Sequence, residues 1–237
     1  MMETGKANIL AVGVYLADVE NTVEHIRANF AAASHFNVVQ RWTAIALTPN
    51  ARIISPEDRI VKQRTARFKL INQMLADCDA FDWIVVTDDD VELAPGFLDD
   101  LISIADRADF ALFQPARTRD SFIDHLITAQ CDGVTARRTN FVEIGPIVCL
   151  RADAARLLIP FDQTTEMAWG LDYIWPVLIA EAGLKMGIVD GVAAAHRIRK
   201  PNVTYSGDHA RIESTVLLGR HRHVQKSDAF RVLDVLV

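Results

Sequence analysis

The feature that most limits what this chain can fold into is the order of its apolar runs. Asn8 to Tyr15 is a compact apolar stretch between polar residues, which predicts a buried strand. Val19, Val23, Ile26 and Phe30 then recur at helical spacing, and Val38 to Leu47 predicts a second strand closed by Pro49 and Asn50. Ser55-Pro56-Glu57-Asp58 reads as a helix start: a capping Ser, Pro at the first helical position and an acid three residues on. That helix is expected to run to about Ala76. A strand is predicted over Trp83 to Thr87, a helix from Pro95-Gly96 to about Ala105, and another strand over Phe110 to Gln114. Strands alternating with helices predict an α/β fold, with a mostly parallel central sheet flanked by helices on both faces.

The middle of the chain reads differently. Pro115 to Asn140 is polar and rich in Arg and Thr, and is expected to be a long loop with one helix near Ile123. Apolar character returns at Ile147 to Leu150, before a helix predicted over Ala152 to Leu158. A helix is expected after Trp169-Gly170-Leu171-Asp172, capped by Gly183, and a strand over Lys185 to Val189 ends at Asp190. The polar segment after Pro201, with a helix expected after Arg211, reads as a tail laid over the core.

With 237 residues and no repeat or Gly/Ser linker, a single domain is the simplest organisation. Within it, 1–114 is expected to bind a nucleotide, 115–201 to carry acceptor binding and catalysis, and 202–237 to form the tail. The formal net charge of -6 argues against a duplex nucleic-acid partner, while leaving room for a local basic pocket. The apolar run near the N-terminus is too short for a signal core, and no stretch reaches the roughly 20 apolar residues of a membrane span. Cys78, Cys131 and Cys149 are odd in number and widely spaced, which suits reduced thiols in a cytoplasmic protein. The sequon Asn202-Val203-Thr204 is accordingly expected to go unused. No sequence signature fixes an oligomeric state.

Asp88-Asp89-Asp90 stands at the carboxyl end of a predicted buried strand, the edge where ligands of open α/β sheets bind. Three adjacent carboxylates repel one another unless a cation or several donors offset the cost. A hard divalent ion, Mn2+ or Mg2+, prefers such oxygens and commonly shares itself between one or two carboxylates and substrate phosphates. The stretch Trp83 to Pro95 resembles the DxD segment of GT-A glycosyltransferases. The resemblance implies that Asp88 lies near the ribose or base and joins Asp90 in holding the metal and diphosphate, with Asp89 also on the donor side at the less constrained middle position.

Arg59, Lys62, Ala66, Lys69 and Asn72 are spaced to share one face of the helix expected before the triplet. In the resembling enzymes a Lys and an Asn there face the donor, which points to Lys69 and Asn72. Asp172 would lie in the first turn of a helix, beside Trp169 and on a backbone opened by Gly170. GT-A enzymes often carry an acid at such a place, and an inverting transfer needs a carboxylate to take the acceptor hydroxyl's proton. Asp172 is therefore the candidate general base, with Trp169 and Gly170 shaping the sugar pocket. A helix N-terminus lowers a carboxylate pKa, so desolvation has to raise it again.

The resemblance further implies that His196, after the last core strand, completes the metal shell; His221 and His223 in the tail are the alternative. Glu143-Ile144-Gly145-Pro146 matches the floor under the acceptor, where Gly145 allows close backbone approach. The resemblance covers about 8–201, and the run from Phe141 to Pro201 also looks like uncharacterised bacterial and plant proteins classed with glycosyltransferases. The first strand departs from the family, ending in Val14-Tyr15-Leu16-Ala17-Asp18 where the large inverting family often has Pro-x-Tyr-Asn.

The implied activity is transfer from a nucleotide sugar, preferably a UDP sugar, to a hydroxyl of a glycan, glycolipid or other acceptor. A nucleotidyltransferase would carry a Gly-rich basic loop after the first strand, and Val14 to Asn21 has none. A non-catalytic nucleotide- or glycan-binding domain of the same fold is the other alternative.

Overall fold

A computed structural model of the chain describes residues 5–200 and 206–237. The Asn202-Val203-Thr204 sequon lies outside the described residues. The strands are β1 (Asn8–Leu16), β2 (Asn37–Ile45), β3 (Arg59–Val61), β4 (Trp83–Thr87), β5 (Glu92–Leu93), β6 (Leu112–Arg117), β7 (Ala136–Thr139), β8 (Ile147–Arg151), β9 (Met186–Ala195) and β10 (Val232–Leu236). The helices are α1 (Val23–Ala31), α2 (Arg67–Met74), α3 (Phe97–Arg107), α4 (Ala152–Leu158), α5 (Leu171–Glu181), α6 (Gly207–Arg220) and α7 (Lys226–Ala229).

The strands form one sheet in the order β10-β7-β9-β6-β8-β4-β1-β2-β3, with β5 paired to β9. β3, β2, β1 and β4 run parallel. β8 lies antiparallel between β4 and β6, and β6 and β9 are again parallel. The parallel sheet read from the sequence is thus interrupted where β8 enters in reverse.

Alternation along the strands divides the core into two layers. Leu10, Val12 and Val14 of β1 join Ile84 and Val86 of β4 and Val148 and Leu150 of β8 on one face. Ile9, Ala11 and Tyr15 join Trp83, Val85, Ile147 and Cys149 on the other. This is the period of two expected of a strand buried on both sides. The first face is covered by α2, α4 and α5 through Phe68, Leu158 and Trp175, and by Leu217 of α6. The second is covered by α1 and α3, where Leu98, Leu101, Ile102 and Ala105 follow helical spacing. Each fully buried side chain of this size contributes about 1.5–3 kcal/mol.

Three sequence expectations are corrected. No helix starts at Ser55: the Asp58 carboxylate accepts from the Ser55 N–H at 3.1 Å, the Tyr15 hydroxyl at 2.8 Å and Arg27 at 2.5 Å. The bond to Ser55 is the cap that the sequence offered, but Tyr15 and Arg27 hold the same carboxylate from other elements, and that tertiary hold prevails. The chain then adds β3 to the sheet and begins α2 only at Arg67. Second, the polar middle segment holds a short 3-10 turn at Leu126–Thr128 and the strand β7, not a helix near Ile123. Third, β9 continues past Asp190 to Ala195, with a register irregularity opposite Pro115 and Ala116. The tail packs α6 on the core, and β10 also extends the sheet beyond β7.

Candidate active site

One edge of the sheet collects the groups with chemistry. The carboxyl ends of β1, β4, β6 and β9 point the same way, and the segment entering the reversed β8 arrives there too. That edge therefore receives Leu16, Asp88 to Asp90, Arg117, His196 and Glu143 to Gly145.

The three acids of the triplet have different partners. Asp88 forms an ion pair with Arg67 at 2.7 Å, and its N–H donates to the Pro146 carbonyl at 2.7 Å. Gly145 lies over it: a Cβ built there would sit 2.9 Å from Asp88 Oδ2. Asp89 is buried, accepts from the Leu16 N–H at 2.8 Å and is gripped by Arg199. Burial pushes its carboxyl up, and the Arg199 contact offsets part of that. Asp90 faces His196 Nε2 at 3.3 Å and Arg199 Nη2 at 3.3 Å. Burial works against its charge, but the His196 hydrogen bond and charge, with Arg199, hold its carboxyl below the usual range.

Among the described residues no group of three or more His, Cys, Asp or Glu side chains could enclose a divalent cation unaided. Asp90 and His196 nevertheless face each other, and His196 Nδ1 is buried without a hydrogen-bond partner. Arg67 Nε, beside Asp88, is likewise buried and unpartnered. Orphaned buried polar atoms cost about 1–3 kcal/mol each and point to a missing ligand. The residues fit a cation held on one side by the protein and on the other by phosphate oxygens.

Asp172 stands in the first turn of α5, where the sequence placed it. It is 7% exposed, and Oδ1 is buried without a hydrogen-bond partner. Its pKa is pushed up to about 7, chiefly by burial; His125 lowers it, Glu143 raises it, and backbone hydrogen bonds lower it. Desolvation therefore outweighs the helix terminus. The segment at Glu143 to Gly145 links this acid to the triplet. Arg117 pairs with Glu143 and donates to the Gly145 carbonyl at 3.1 Å, and Arg67 donates to the Ile144 carbonyl at 3.2 Å.

Not every expected residue faces this edge. Lys69 is exposed on α2, and Arg67, two residues earlier, lies beside Asp88 instead. Asn72 donates to the Phe161 carbonyl at 2.8 Å and accepts from its N–H at 2.9 Å, so both ends of the amide are engaged away from the triplet. Gly170 has φ +108°, which a side chain rarely adopts, and its open side faces α6, where a Cβ would lie 3.1 Å from Ser214 Oγ. Trp169 is half-buried. His221 is exposed beyond α6, and Arg222 next to it pairs with Glu181 of α5. Arg117, His125 and Arg199 were missed. The first two lie in the polar middle segment, which has no periodic signal; Arg199, three residues after His196, could have been found from that spacing.

This architecture is a GT-A-like fold. No protein-family model and no curated protein sequence matches the chain. Among solved structures, S. aureus TarS in complex with UDP-GlcNAc aligns over 93% of this chain and 68% of its own, at 10% identity and TM-score 0.59. Glucosyl-3-phosphoglycerate synthase from Mycobacterium tuberculosis, with Mn2+, UDP and phosphoglyceric acid, aligns over 94% and 81%, at 13% identity and TM-score 0.60. GalNAc-T7 with UDP, GalNAc and Mn2+ aligns over 92% of this chain and 48% of its own, at 9% identity and TM-score 0.62. Identities this low establish a shared fold; function has to be argued from the site.

Proposed function

We propose that the chain is a metal-dependent glycosyltransferase that moves a sugar from a nucleoside-diphosphate sugar, a UDP sugar first, to a hydroxyl of a glycan, glycolipid or other acceptor. The observation that carries this reading is a pair of carboxylates in opposite surroundings: Asp90 faces His196 and Arg199, whereas Asp172 is buried with one oxygen unpartnered. Asp90 is held below the usual carboxylate range, whereas Asp172 is pushed up to about 7. Environments that separate two carboxylates in this way divide the work between a permanent anion and a proton acceptor. The solved neighbours hold UDP-GlcNAc or UDP, and two of them Mn2+.

In this reading Asp88 meets the ribose or base, with Arg67 beside it. Asp90 and His196 would hold Mn2+ or Mg2+, and Arg199, on Asp89 and Asp90, would be at hand for the diphosphate. The cation, when bound, neutralises charge on the departing diphosphate. Asp172 takes the acceptor hydroxyl's proton as the acceptor oxygen bonds to the anomeric carbon. The bond from that carbon to the diphosphate oxygen breaks, its electron pair leaving on the diphosphate. Direct displacement of this kind inverts the anomeric carbon.

A panel of nucleotide sugars tests the reading, first by thermal shift with and without Mn2+ and then by transfer. A UDP sugar is expected to raise the melting temperature only with Mn2+, and Asp172→Asn is expected to keep that stabilisation while transferring at least a hundredfold more slowly. No response to any donor, or full turnover by Asp172→Asn, contradicts it. Donor binding with no transfer by the unaltered protein favours a binding domain.

A further inference from the structure

The polar segment between β6 and β7 carries a charged chain that none of the roles above uses. His125 Nδ1 lies 2.6 Å from Glu143 Oε1. The other Glu143 oxygen is held by Arg117, and the Glu143 N–H donates to Gln114 Oε1 at 2.6 Å. Glu143 is thus buried and fixed from several directions. The His125 ring packs against Phe141, with centroids 4.8 Å apart, and against Phe230 at 5.3 Å. Tyr173, next to Asp172 on α5, packs on the same two rings at 5.7 and 6.5 Å. Asp172, one residue before Tyr173 on α5, has its Oδ1 buried without a hydrogen-bond partner.

The charges around the pocket can be summed. Its titratable and charged groups are Asp124 and His125 from the segment after β6, Arg117 from β6 and Glu143 from the segment before β8. α5 adds Asp172 and Tyr173, and α7 adds Lys226, whose Nζ stands 6.0 Å from the Phe230 ring centre. Glu143 repels an ionised Asp172, while His125 attracts it. Burial opposes an imidazolium at His125, but the hydrogen bond and charge of Glu143, with Asp172 and Asp124 adding, outweigh it and raise its pKa. Arg117 offsets the charge of Glu143, so His125 is the cation left to offset Asp172, and a buried acid without one is protonated.

We propose that His125 is a positioning residue: clamped by Glu143 and walled by Phe141 and Phe230, it favours the charged form of Asp172, the form that accepts a proton. This rests on Asp172 being the base of the proposed reaction. During transfer the proton from the acceptor hydroxyl goes to Asp172, and His125 keeps its own proton on Nδ1, toward Glu143. Phe230 belongs to the C-terminal segment, so the tail closes the wall of the pocket.

The test follows Asp172 directly, by carbon NMR of protein labelled at Asp Cγ, and follows His125 by the nitrogen shifts of its ring. In the unaltered protein at pH 6.5, His125 is expected to carry both protons; a neutral ring there overturns the proposal without any variant. In His125→Gln, checked for folding by its melt, the Asp172 midpoint is expected to rise by at least one unit. The acidic limb of kcat/KM moves with it, a loss of about fivefold at pH 7 for a one-unit shift. The KM for the donor stays unchanged. An unmoved Asp172 midpoint overturns the proposal. The titrations need no turnover, so absence of transfer with every donor would remove the proposed reaction while the coupling of His125 to Asp172 is still read on its own.

Discussion

Gly145 is packed onto Asp88 so closely that a Cβ would lie 2.9 Å from Oδ2, nearer than real Cβ atoms come. The backbone that carries Gly145 also receives a hydrogen bond from Arg117, which holds Glu143. The donor side of the site and the surroundings of Asp172 therefore share one short segment. Gly145→Ala must shift the Asp88 carboxylate, whose other oxygen pairs with Arg67. It is expected to weaken UDP binding about tenfold, the weight of one charge-assisted contact, while the melting temperature changes little. Titration calorimetry with Mn2+ present measures this; unaltered affinity means Asp88 does not touch the nucleotide.

Asp172→Asn is expected to make the fold more stable and the enzyme inactive. An Asp in the unfolded chain titrates near 3.9, whereas Asp172 titrates at about 7. Between those values the folded state binds more protons, so its stability falls as pH rises from about 4 to 7, and the deficit persists above that. About three units correspond to at most about 4 kcal/mol. Denaturant melts should show the variant equal to the parent near pH 4 and more stable at pH 8. A variant less stable at pH 8 would show that the carboxylate is a favourable part of the core.

Asn72 and Lys69 should separate structure from binding. Asn72→Ala removes both hydrogen bonds to Phe161 and leaves two buried backbone groups unpaired. A loss of about 1–3 kcal/mol in denaturant melts is expected, with UDP affinity unaffected. Lys69→Ala, at an exposed position, should change neither quantity. Weaker UDP binding in Lys69→Ala would restore the role first expected for it.

Which parts of this protein could be read from sequence follows from the range of the forces involved. β1 and β4 were legible because a strand buried on both faces is written as one apolar run. The acid triplet was legible for the same reason, since the end of such a run is the edge of the sheet. The Ser55 signal misled because Asp58 is bound by Tyr15 and Arg27, 43 and 31 positions away, and that tertiary contact decided against the cap. Arg117, His125 and Glu143 meet only once β6, β7 and β8 pair, so the polar stretch that holds two of them looked like any long loop.

The most direct measurement is a calorimetric titration of UDP into the protein, with and without Mn2+, for the unaltered chain, Asp90→Asn and Asp172→Asn. Asp90 and His196 holding a cation against a diphosphate requires that binding depend on Mn2+, weaken at least tenfold in Asp90→Asn and survive in Asp172→Asn. UDP binding that is indifferent to Mn2+ and to Asp90→Asn would contradict it.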